Sequence, residues 1–93
     1  MPRIAPPAKR SVTIAGHETS ISLEPIFWEA LVEAANRRGL PVNALIAQID
    51  LMRYEADGLN PANLASAIRQ WLYLDALSIS ETADTNADPS SGA

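Results

Sequence analysis

Apolar and polar positions alternate along Lys9–Leu23, but the alternation changes phase midway. Val12 and Ile14 are the apolar positions of the first half, Ile21 and Leu23 of the second. A straight strand sends even and odd positions to opposite faces, so one unbroken strand cannot bury all four. A hairpin with Gly16-His17 as its two-residue loop reconciles the phases, because Gly at the first loop position suits a type II′ turn. That register sets Ala15 opposite Glu18, Ile14 opposite Thr19, Thr13 opposite Ser20, Val12 opposite Ile21 and Ser11 opposite Ser22. Val12, Ile14, Thr19, Ile21 and Leu23 then share one face, and Ser11, Thr13, Ser20 and Ser22 the other. The alternative is a strand broken by a glycine bulge, regular only from Thr19 to Leu23.

After Leu23 the apolar period lengthens to that of a helix. The first helix is expected to start at Glu24 or Pro25, since proline is tolerated in a first turn. Phe27, Ala30, Leu31, Ala34 and Ala35 form its apolar stripe, with Glu29, Glu33, Arg37 and Arg38 opposite. Ile26 and Trp28 lie off that stripe, leaving one of them to cover a second surface. Gly39 is placed to end the helix, with Arg37 and Arg38 against its negative dipole end. A second helix carries Val42, Leu45, Ile46, Ile49 and Met52 and fades near Gly58. Asn60-Pro61 reads as cap and first residue of a third helix, with Leu64, Ala67, Ile68, Trp71, Leu72 and Asp75 on its inner side.

The ends carry no such period. Residues 1–8 hold Pro2, Pro6 and Pro7 and read as a flexible arm. Residues 78–93 are Ser, Thr, Ala, Asp and Asn without periodicity and read as a disordered acidic tail. That leaves 9–77 as the folded domain.

A chain of 93 residues without cysteine has neither disulfides nor thiolate metal sites to support a small core, so oligomerisation is the remaining aid. Absence of cysteine, of a signal-like start and of any membrane-length apolar run reads as a cytoplasmic protein. The net charge of -4 argues against a basic groove, yet Lys9 and Arg10 precede the first acidic residue, Glu18. His17 is the single histidine and sits in the expected turn, without a nucleophile or an orienting acid. Glu29 and Glu33, four apart, read as a solvated helix face, and Trp71 and Tyr73 as packing residues. No phosphate loop and no metal-ligand spacing occurs. The reading is not an enzyme, with no cofactor.

An alternating Ser-aliphatic strand, a Pro-started helix, a Gly turn and Val42-Asn-Ala-Leu-Ile46 opening the next helix resemble the ribbon-helix-helix superfamily. The run Arg10–His17, then Ser20-Ile-Ser-Leu-Glu-Pro25 and Phe27-Trp28, is similar to a bacterial subfamily of short ribbon-helix-helix domain proteins. The resemblance spans about Arg10 to Leu77. It implies a mainly α fold with a short N-terminal β-ribbon or hairpin, a third helix added, and an intertwined homodimer. It also implies that the ribbon reads duplex DNA: Ser20 and Ser22, with Glu18 at the strand's start, would contact bases. Lys9 and Arg10 would contact the backbone, and the start of the second helix at Val42 and Asn43 would hold a phosphate. The chain departs from the pattern at two places. Glu18 stands where arginine is favoured, and among bases a carboxylate accepts only from cytosine. Pro41 stands where a Ser or Thr cap is usual.

Two functions are therefore expected as alternatives. One is a small bacterial transcription regulator that binds operator DNA. The other is a dimeric module that binds a protein partner, including an antitoxin-like role, and does not read DNA.

Overall fold

The structure, a computed structural model, describes residues 4–57 and 63–87. Strands β1 (Ala8–Ile14) and β2 (His17–Leu23) form an antiparallel hairpin, followed by α1 (Pro25–Arg37), α2 (Val42–Asp57) and α3 (Leu64–Ala87). The helices pack beneath one face of the hairpin.

The hairpin forms, but with a different loop from the one expected. Ala15-Gly16 is the turn, and Ile14 faces His17, Val12 faces Thr19, Arg10 faces Ile21 and Ala8 faces Leu23. Ala15 (φ 51°) and Gly16 (φ 82°) are both left-handed, as a type I′ turn requires, and that turn twists in the sense of its strands. The shift brings seven residues of each strand into register and draws Ala8 into β1 from the expected arm. Because the pairing moves by an even step, each residue keeps its expected face. Ile14, Ile21 and Leu23 are buried, Val12 and Thr19 half-buried, while Lys9, Ser11, Thr13, Glu18, Ser20 and Ser22 are exposed.

Pro25 opens α1 as expected, and Glu24 precedes it in extended conformation. The end of α1 is a Schellman motif: the Leu40 N–H donates to the Ala35 carbonyl at 2.9 Å and the Gly39 N–H to Asn36 at 3.1 Å. Gly39 has the positive φ (66°) that this motif needs. Trp28, Leu31, Ala34 and Ala35 are the buried residues of α1, whereas Phe27 and Ala30 are only half-buried. The core therefore turns toward Trp28, the residue left off the expected stripe. Its indole N–H donates to the Ala8 carbonyl at 2.9 Å, so the large ring closes the hairpin's underside without an unpaired polar atom.

From α2, Leu45, Ile46 and Ile49 are buried, but Met52 is exposed. From α3, Ile68 and Leu72 are buried and Leu64, Ala67 and Trp71 pack against them. Tyr73, expected to pack, is exposed. The expected cap at Asn60-Pro61 lies outside the described residues. Asn63 caps α3: its Oδ1 accepts from the Ala65 N–H at 2.8 Å. Helix α3 also continues past Leu77 to Ala87, where a disordered segment was expected. No Gly or Pro interrupts Ser78–Ala87, and a helix nucleated by packing propagates at little cost through such residues.

Two ion-pair clusters fasten α3 to the rest. Arg69 Nε donates to Glu24 Oε1 at 2.9 Å, joining α3 to the β2–α1 junction. Asp75 accepts from Arg37 at 2.8 Å and from Arg38 at 2.6 Å, joining α3 to the end of α1. Arg38 also lies over the Trp71 ring, 4.8 Å from its centroid.

Candidate nucleic-acid interface

The outer face of the hairpin is polar throughout. Three cross-strand pairs line it: Lys9 with Ser22, Ser11 with Ser20, and Thr13 with Glu18. All six side chains are exposed, so the hydroxyls and the ammonium are open to a ligand, and the Glu18 carboxylate shares their surface. Ser20, Ser22, Glu18 and Lys9, four residues of the expected DNA-contacting set, thus lie on one face. Ser11 and Thr13 complete it. The strand alternation pointed to them, though the resemblance assigns them no role.

Arg10 is separated from this group. It projects from the opposite face of β1, and its guanidinium lies 5.0 Å from the centroid of the Trp28 ring. Adjacent strand residues cannot share a face, so Lys9 and Arg10 cannot act on one phosphate track from the hairpin's outer surface.

The start of α2 lies beside β1. Pro41 supplies the carbonyl that accepts from Ala44 at 3.1 Å and Leu45 at 3.2 Å. Val42 and Asn43 carry first-turn N–H groups that no earlier carbonyl of the helix can reach. The Asn43 side-chain amide donates to the Thr13 carbonyl at 3.4 Å, holding this helix end near the outer strand. Val42 is half-buried and Asn43 exposed.

On the far side, β2 borders the start of α3. Ser20, Ile21 and Ser22 line a groove of about 530 Å³ together with Asn63, Ser66 and Arg69. Arg69 is turned to Glu24, and its hydrogen bonds hold that carboxyl below the usual glutamate range.

The electrostatics divide the cations. Arg37, Arg38, Arg53 and Arg69 are all in ion pairs with carboxylates. Among the described residues, Lys9 and Arg10 are the basic side chains outside such pairs, and Lys9 alone lies on the hairpin's outer face. His17 is exposed at the hairpin turn. Among the described residues no group of three His, Cys, Asp or Glu could hold a metal ion. No helix of the described residues is long and apolar enough to cross a membrane.

Comparison with protein families gives a match to the ribbon-helix-helix domain over residues 7–76. No curated protein and no solved structure matches the chain.

Proposed function

The chain belongs to the ribbon-helix-helix family, and from that premise we propose that it is a homodimeric regulator that binds duplex DNA with the outer face of its hairpin. Members of the family are commonly DNA-binding regulators or antitoxins. The observation that carries the reading is the composition of that face. Lys9, Ser11, Thr13, Ser20 and Ser22 present donors without an apolar side chain among them, and Glu18 adds one carboxylate to the same face.

What one chain leaves open supports dimerisation. Large apolar side chains on all three helices stay exposed, among them Val32, Leu51, Met52, Leu74 and Leu77. The hairpin is a two-stranded sheet, and such a sheet is marginal until further strands join it. A second copy of β2 against the outer edge of β2 would supply them.

Four strands at about 4.8 Å spacing are roughly 14 Å across, and the major groove is about 12 Å wide. Such a sheet does not enter the groove as a two-strand ribbon does, and its width together with the exposed Glu18 counts against the reading, which then requires the sheet to lie over the groove. Its central strands, carrying Glu18, Ser20 and Ser22, would face the base edges. Its outer strands would bring Lys9 toward the phosphates, with the Val42 and Asn43 N–H groups beside them.

The reading is tested by titrating binding to random duplex DNA against salt, with Lys9→Ala alongside. Expected is binding that weakens steeply as salt rises, with a shallower slope in the variant. No binding at low salt by a verified dimer would overturn it. That outcome favours the second reading, a dimeric module for a protein partner. The pairing of Arg37, Arg38, Arg53 and Arg69 with carboxylates supports that alternative, because it leaves few cations to meet phosphate.

A further inference from the structure

Glu18 puts a carboxylate on a face otherwise made of hydroxyls and one ammonium. Its cross-strand partner is Thr13, and among the described residues it enters no ion pair. Lys9 shares the face but lies four residues along β1 from Thr13, about 13 Å at 3.3 Å per residue. The strand fixes where the carboxylate goes, because β2 sends Glu18, Ser20 and Ser22 outward together.

A sheet that lies over the major groove keeps its backbone near the mouth, so side-chain length decides what touches a base. A serine hydroxyl extends about 2.4 Å from its Cα and a glutamate oxygen about 4.8 Å, and a hydrogen bond adds about 2.9 Å. The resulting reaches, about 5 and 8 Å, compare with a groove about 8.5 Å deep. Ser20 and Ser22 therefore stop short of the base edges. Glu18, on the same strand, reaches them.

A carboxylate only accepts hydrogen bonds. On the major-groove edges the donors are the amino groups of cytosine and adenine, whereas guanine and thymine offer acceptors. Adenine also sets its N7 acceptor beside the amine, against the second carboxylate oxygen. Where Glu18 meets no amine, its charge only repels phosphate, which lowers affinity for DNA in general and sharpens the contrast between sites. We propose that Glu18 is the specificity-determining residue of the hairpin face and selects duplexes that place a cytosine amino group beneath it. The inference rests on the DNA-binding reading above and deepens it.

The experiment is selection from a duplex library with a randomised centre, using the full chain, Glu18→Ala and Glu18→Gln. Glu18 is exposed, so both variants are expected to fold, and far-UV circular dichroism verifies it. The wild type is expected to select sites with cytosine, and replacing that base should weaken its binding about tenfold. Glu18→Ala should lose the preference and bind a random duplex more tightly than the wild type at the same salt. Glu18→Gln should select adenine in place of cytosine, since its amide matches adenine N6 and N7. Cytosine retained by Glu18→Ala, or wild-type sites without cytosine, overturns the proposal and leaves the DNA reading in place. No binding at low salt by a verified dimer overturns the DNA reading and this proposal with it.

Discussion

The Trp28 indole N–H donates to the Ala8 carbonyl at 2.9 Å, tying the first residue of β1 to the first turns of α1 across twenty residues of chain. The ring is buried in the core cluster that also holds Ile14, Ile21 and Leu31. It therefore serves as both floor and clasp of the hairpin. Trp28→Phe keeps most of the apolar body but removes the donor, with an expected loss of about 1 kcal/mol. Trp28→Ala empties the site and should cost about 3–5 kcal/mol. Urea midpoints of the two variants check the ordering, and a Trp28→Phe variant as stable as the wild type would show that the hydrogen bond carries nothing.

Ala15 occupies a left-handed conformation at φ 51° in the type I′ turn. Its Cβ makes this region unfavourable by about 1–2 kcal/mol, a penalty that glycine avoids. Ala15→Gly should therefore raise the melting temperature despite the added freedom of the unfolded chain, and Ala15→Asn should do the same by turn preference. Ala15→Val should lower it. Thermal unfolding of the three variants decides, and a Val variant as stable as the Gly variant would contradict this turn.

The Arg69–Glu24 pair makes stability depend on pH. The hydrogen bond from Arg69 lowers the Glu24 pKa in the folded state relative to the unfolded chain. The unfolded state consequently binds more protons in that range, so the contribution is complete above about pH 4.3 and is lost as pH falls through the lower folded value. Arg69→Gln should remove this dependence. Urea midpoints compared between about pH 6 and pH 3 should converge for wild type and variant at the acid end. Parallel curves would show that the pair contributes no pH-dependent stability.

Lys9 and Arg10 are neighbours in sequence and opposites in space, which separates their expected effects. Under the proposed function, Lys9→Ala should leave stability nearly unchanged and lower the salt slope of DNA binding by about 1 per protomer, or about 2 for the dimer. Arg10→Ala removes the guanidinium over Trp28 and should cost about 0.5–1 kcal/mol of stability, with less change in slope. Slope and urea midpoint measured on both single variants test this. Identical behaviour would mean that the outer face of the hairpin is not the side that meets phosphate.

Much of the architecture is written locally. Pro25 opening α1, Gly39 closing it and the strand alternation each depend on a few neighbouring residues, and each appears in the structure as the sequence implies. The sorting of the hairpin faces was legible for the same reason. An even shift of pairing leaves every side chain on its side, so the error in the loop did not disturb the core.

Tertiary contact decided the rest. Trp28 lies off the helical stripe that period alone selects, yet the space under the hairpin favours the largest ring and offers its N–H a carbonyl. Arg10 was assigned beside Lys9 because nothing local distinguishes two adjacent basic residues, and only the ring of Trp28 gives one of them an inner partner. Arg37 and Arg38 read as charges at the end of the first helix, and nothing local gives Arg69 a role, until Asp75 and Glu24 arrive from 37 to 45 positions away. Local sequence determines backbone conformation and which face is apolar, because those depend on neighbours in the chain. Which charges are spent inside the fold, and which remain for a partner, depends on residues that meet only when the helices pack.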